Sequence, residues 1–82
     1  MFYKVKAVNP MYNYILKVYF ENGEIKYYDL NPLFTKWSIF QDLKSIKGLF
    51  DKVKVDLGGY GVSWNDEIDI SCNELYYNGK SR

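Results

Sequence analysis

From Tyr12 to Leu30, apolar and polar positions alternate in two runs, Tyr12 to Glu21 and Glu24 to Leu30, on either side of Asn22-Gly23. Runs rich in β-branched and aromatic residues around Asn-Gly predict a hairpin, because a two-residue type I′ turn needs positive φ at both central positions. That turn sets Phe20 opposite Ile25, Val18 opposite Tyr27 and Leu16 opposite Asp29. One face of the ribbon is then apolar. The other carries Lys17, Tyr19, Lys26 and Tyr28, with Glu21 and Glu24 at the tip.

The residues before the hairpin alternate from Phe2 to Asn9, with Val5 and Ala7 on one side and Lys4, Lys6 and Val8 on the other, a strand ended by Pro10. Three consecutive strands favour an antiparallel meander. Asn31-Pro32 ends the pairing, since proline brings no amide hydrogen to a ladder. From Trp37 the period changes: Ile39, Phe40, Leu43 and Ile46 recur at helical spacing, Ser38 and Gln41 read as a capping box, and Gly48 stands where a left-handed stop is expected. A helix of about 9 or 10 residues is marginal alone and must be held by packing on the sheet.

Alternation returns from Leu49 to Leu57, with Val53, Val55 and Leu57 on one face and Lys52, Lys54 and Asp56 on the other. Gly58-Gly59-Tyr60-Gly61 reads as a hairpin loop, followed by a short strand Val62-Ser63-Trp64, a tight turn at Asn65-Asp66 and a strand Glu67 to Ile70. Ser71 and Glu74 form a second capping box, opening a single helical turn that Asn78-Gly79 stops. The expected fold is α+β and one domain over residues 1–82. A small antiparallel sheet (a three-stranded meander, one helix, then further short strands) packs on one amphipathic helix.

A chain of 82 residues buries only roughly 60 to 65% of its unfolded surface, so its core must be dense. Nine Tyr, five Phe and two Trp supply that density and leave some rings at the surface, where amphipathic tyrosines suit a partner. Trp64 is expected in the core with Tyr76 beneath it, whereas Tyr60 and Tyr77 are open to either role. Eleven basic against ten acidic residues give a net charge of +1, too balanced for polyanion binding through charge alone. Cys72 is the only cysteine, which fits a reducing cytoplasm. The N-terminus lacks the apolar run of a signal peptide, and no stretch approaches the roughly 20 apolar residues of a membrane span.

The chain has no histidine, which removes the usual general base near neutral pH, the commonest zinc ligand and every histidine-assisted nucleophile. Asp66, Glu67 and Asp69 cluster at one turn but lack the spacing of a calcium loop, so a solvated turn is expected there and no metal or cofactor. The glycine loop lacks the lysine and hydroxyl of a phosphate cradle, and Cys72, without a histidine or a second thiol, reads as a small buried hydrophobe. A sharper candidate is the polar face of the sheet. Lys4, Lys6, Lys17, Lys26, Lys52 and Lys54 fall at polar positions, with Tyr19 and Tyr28 among them, a pattern able to neutralise phosphates and stack bases. The plainer account is a solvated antiparallel face.

Nearly the whole chain resembles the bacterial proteins grouped as domain of unknown function 2442. The resemblance rests on Leu16 to Glu24, Tyr28-Asp29-Leu30, Phe40 with Leu43, Phe50, Val53 to Asp56, Trp64-Asn65, Ile68-Asp69-Ile70 and Leu75-Tyr76. It implies an α+β fold, no catalytic residues, and a small antitoxin-like protein paired with another short protein. Some relatives add a helix-turn-helix domain that has no counterpart up to Arg82, so operator binding by this chain is not expected. The leading expectation is therefore a cytoplasmic, non-catalytic protein-interaction module using a sheet edge and tyrosines such as Tyr19, Tyr28, Tyr60 and Tyr77. Homo-oligomerisation through an edge is a further expectation, and single-stranded nucleic-acid binding on the lysine face is the alternative.

Overall fold

In the computed structural model, which describes residues 1–82, β1 (Val5–Met11), β2 (Ile15–Phe20) and β3 (Ile25–Asp29) form the antiparallel meander in that order. The Asn22-Gly23 turn is present, but its loop holds three residues rather than two. Gly23 N–H donates to the Phe20 carbonyl at 3.0 Å and Phe20 N–H to the Glu24 carbonyl at 2.9 Å. Only Gly23, at φ 93°, is left-handed, as in a type I turn closed by a glycine bulge. The Asn22 carboxamide spends its oxygen on Glu24 N–H at 2.9 Å.

The extra loop residue shifts the pairing by one. Leu16 lies opposite Tyr28, Lys17 opposite Tyr27, Val18 opposite Lys26 and Tyr19 opposite Ile25. Because side chains alternate with period two, the slip exchanges the two faces of β3: Tyr28 and Lys26 turn inward beside Leu16 and Val18, and Tyr27 turns out. β1 corrects its own phase with a bulge between Val5 and Ala7, which sets Val5 opposite Phe20 and Val8 opposite Val18. Pro10 does not end β1 but sits within it opposite Leu16, as an edge strand permits.

Pro32 also begins something. It occupies the first turn of α1 (Asn31–Lys36), where its missing amide hydrogen would have had no helical partner, and the Asp29 carboxylate accepts Asn31 N–H at 2.9 Å. The helix expected from Trp37 is shorter and begins as a 3₁₀ turn, Ser38–Gln41, that runs into α2 (Asp42–Ser45). Ser38 makes no cap bond, and the Gln41 carboxamide instead donates to the Phe34 carbonyl of the preceding helix. Phe40 and Leu43 point into the core, whereas Ile46 lies past the helix end in solvent.

The C-terminal half builds a second antiparallel sheet rather than extending the first: β4 (Lys54–Val55), β5 (Gly61–Ser63) and β6 (Asp69–Ser71). Phe50–Lys52, expected as strand, is a 3₁₀ turn. α3 (Cys72–Asn78) follows, capped as expected by Ser71 Oγ, which accepts Glu74 N–H at 3.2 Å. The tail then returns to β3, where Lys80 and Tyr27 exchange backbone bonds of 2.8 and 2.9 Å and close part of that edge.

Fifteen buried apolar residues from both sheets and all three helices form one cluster, so the α+β class holds with two small sheets sharing a core. Trp64 is part of it, its indole N–H donating to the Phe50 carbonyl at 3.0 Å, as is Cys72. The turn between β4 and β5 approaches β1 closely at Gly59, where a Cβ would fall 2.6 Å from the Val5 carbonyl oxygen.

Candidate partner-binding surface

The meander has two faces with opposite fates. Leu16, Val18, Phe20 and Tyr28 are buried beneath the rest of the protein. On the opposite side the strand pairs bring together Ala7, Tyr19 and Ile25 in one row, Asn9, Lys17 and Tyr27 in the next, and Met11, Ile15 and Asp29 in the third. None of these nine is fully buried.

Lys17 stands at the centre of that outer face, at the middle position of the central strand. Its ammonium lies 5.2 Å from the Tyr19 ring centroid and 5.9 Å from that of Tyr27. The Arg82 guanidinium sits 4.4 Å from the Tyr27 centroid, and the Asn9 carboxamide donates to the Tyr19 hydroxyl at 3.4 Å. Hydrogen bonding and charge from the Tyr19 phenol, helped by Tyr27, raise the Lys17 pKa above its usual value, so the ammonium is the standing form. Cation–ring contacts of this kind hold aromatic side chains in defined orientations at a wet surface.

The other residues singled out by sequence lie elsewhere. Tyr28 is 4% exposed and its hydroxyl donates to Glu74 Oε2 at 2.8 Å. Burial, then that bond, pushes its pKa far above the usual 10.0. Lys26 lies across the Tyr76 ring at 3.9 Å, with its ammonium on the Tyr76 carbonyl at 2.6 Å. Neither side chain is available to a partner on the outer face, and the cause is the one-residue shift at the turn. Tyr60 is half exposed but packs edge-on against Phe2 at 5.2 Å, with Lys4 5.0 Å from its centroid. Tyr77 is exposed on α3, edge-on to Tyr3 and Tyr76. Lys6 is exposed at the β1 bulge, Lys54 belongs to the second sheet and Lys52 to the turn before it.

Of the six lysines proposed for nucleic acid, only Lys17 thus stands between tyrosine rings on the outer face. Tyr27 and Arg82 complete the cluster and were not signalled by the sequence. The first was hidden by the register, the second by being at the chain end. Asp66, Glu67 and Asp69 do not converge, and no three His, Cys, Asp or Glu side chains are grouped to hold a metal ion. No helix is long and apolar enough to cross a membrane.

The chain belongs to the family described as "Protein of unknown function (DUF2442)", whose family model matches residues 5–81. Neither a curated protein nor a solved structure matches it. Membership agrees with the resemblance carried by the hairpin and the C-terminal strands and brings no assigned activity, so the surface itself has to support any functional reading.

Proposed function

We propose that this protein is a non-catalytic interaction module that binds another protein on the outer face of β1–β3. The observation that carries this reading is the cluster of Tyr19 and Tyr27 around Lys17, set among Ile15, Ile25 and Met11 on a sheet face opposite the core. Tyr19, Tyr27, Met11 and Arg82 are residue types enriched at interfaces, where amphipathic rings add contact area at little cost in side-chain entropy. The resemblance noted above supplies the kind of partner: a small protein encoded beside it, which this chain would mask in an antitoxin-like manner in the cytoplasm.

The test is co-expression with the neighbouring gene product and purification of the pair. A fixed-stoichiometry complex that is lost in Tyr19→Ala/Tyr27→Ala and retained in Tyr60→Ala supports the reading. Full binding by the double variant overturns it.

A second reading, single-stranded nucleic acid, is favoured by one observation, the convergence of Lys17 and Arg82 on the Tyr27 ring, with Lys17 also beside Tyr19. Two cations on phosphates predict a slope of log affinity against log salt of about −1.4 for a single strand. Oligouridylate titrations showing that slope, with loss in Lys17→Glu, would move the assignment to nucleic acid.

A further inference from the structure

A groove of about 420 Å³ runs between the α1–α2 connection and the free edge of β6. Leu33, Trp37 and Ile39 line one wall, and Tyr28 and Phe40 are at its lining. Trp37 is 54% exposed although it is among the largest apolar side chains of the protein. The other wall carries Glu67, Asp69 and Glu74 against a single cation, Lys36.

The edge beside the groove is ready to pair. Trp64 N–H donates to the Ile68 carbonyl at 3.0 Å and Cys72 N–H to the Tyr60 carbonyl at 2.9 Å, and Val62 stands opposite Ile70. This phase turns the Ile70 backbone toward β5 and the amides of Asp69 and Ser71 away from it, toward the groove. β6 carries no proline and no lysine to blunt its edge, and the only strand beside it is β5.

We infer that this groove binds an extended, basic segment of a partner protein, which adds to β6 as a fourth strand of the second sheet. Backbone bonds to Asp69 and Ser71 supply the strand register. Side chains of an added strand alternate. Those on the Asp69 and Ser71 side meet the carboxylates of Asp69 and Glu67, and the one between them meets Trp37, Leu33 and Ile39. The segment recognised therefore has Lys or Arg on either side of an apolar residue. A second copy of this chain paired along the same edge would instead set Asp69 and Glu67 of each chain near their like charges, which is unfavourable. This groove and the tyrosine cluster of the outer face share no residues, so the inference stands apart from the function proposed above.

The experiment uses the full chain and three blocked synthetic peptides: alternating Arg and Val, alternating Glu and Val, and the Arg/Val residues rearranged into two blocks. Indole fluorescence, with Trp37→Phe as the control that removes the exposed reporter, reads binding. Amide hydrogen exchange reads strand addition. The alternating basic peptide is expected to saturate the signal, to slow exchange at the Asp69 and Ser71 amides, and to bind at least tenfold more weakly to Asp69→Lys while Tyr19→Ala/Tyr27→Ala binds it unchanged. An unchanged thermal melt shows that the charge variant is folded. Equal binding of the acidic or block peptide, absence of saturation by any of them, or unprotected Asp69 and Ser71 amides would overturn the inference. Concentration-dependent protection of the same amides without peptide would also overturn it, by giving the edge to a second copy.

Discussion

The Tyr28 hydroxyl donates to the Glu74 carboxylate across 2.8 Å, tying the C-terminal end of β3 to the first turn of α3. Glu74 Oε1 in turn accepts from Asn78 at 2.9 Å, so a single carboxylate links the first sheet to both ends of the last helix. Tyr28→Phe removes the hydroxyl and leaves the carboxylate at the surface, where water replaces the bond. The expected loss is about 1 to 2 kcal/mol by chemical denaturation.

The same contact makes stability fall in alkali. Burial and the Glu74 bond raise the folded-state pKa of Tyr28, whereas in the unfolded chain it ionises near the ordinary 10.0. Above that pH the unfolded state binds fewer protons than the folded one, so this contribution is complete below about 10 and declines as pH rises further. Tyr28→Phe should flatten the alkaline limb of a melting-temperature profile. Phenolate absorbance should show a late-ionising tyrosine, tied to loss of the fold, that is absent in Tyr28→Phe.

Two glycines with similar positive φ predict different costs. Gly23 has φ 93° and open space around its missing side chain, whereas Gly59 has φ 80° and a would-be Cβ 2.6 Å from the Val5 carbonyl oxygen. Gly23→Ala bears only the left-handed strain, about 1 kcal/mol. Gly59→Ala adds a collision with the β1 backbone at Val5, and roughly 3 kcal/mol or more is expected in the same denaturation series.

The hairpin was legible because Asn-Gly between β-rich runs has few other outcomes, and the second capping box was legible because Ser71 and Glu74 satisfy a local hydrogen bond. The register was not, because Asn22-Gly23 serves both a two-residue turn and a type I turn with a glycine bulge, and the choice is made by which side of β3 the core accepts. Lys26, Tyr27 and Tyr28 offer no clean alternation, so local pattern leaves that choice open. Leu30, fully buried and of the same parity as Tyr28, is the residue that would have decided it. That one-residue ambiguity carried over to function, since it exchanged Tyr27 for Tyr28 on the outer face. The loss of Lys26 from the lysine set has the same origin. The second sheet was hidden for a different reason: strands of two or three residues hold too few side chains to show a period.

At the hairpin tip, the Glu24 carboxylate accepts from the Tyr76 hydroxyl and from Asn22 Nδ2, with Lys26 nearby. The Tyr76 bond is the main cause that holds Glu24 below its usual 4.5. A depressed carboxyl contributes stability that is present above the unfolded pKa and is lost as pH falls through the folded one. Carbon-detected NMR should find Glu24 titrating below 4.5 in the native protein and moving back up in Tyr76→Phe. That variant should also lose less melting temperature on acidification than the parent.

The outer face should separate binding from folding. Tyr19 and Tyr27 face away from the core, and their removal takes away cross-strand contacts with Ile25 and Lys17 but opens no cavity. Tyr19→Ala/Tyr27→Ala is therefore expected to cost no more than about 1 to 2 kcal/mol of stability. Leu16→Ala, at a fully buried position on the opposite face of the same strand, should cost about 2 to 5 kcal/mol. Binding should rank the other way. If the two rings anchor the interface at about 2 kcal/mol each, their joint loss weakens a complex by several hundredfold, since each 1.4 kcal/mol is about tenfold. Leu16→Ala, measured at a temperature where it remains folded, should leave the dissociation constant within a few-fold of the parent. A double variant that melts like the parent and still binds with parental affinity would remove the tyrosine face from the interface. A double variant whose loss of binding tracked loss of folding would show that the two tyrosines act through the sheet rather than on a partner.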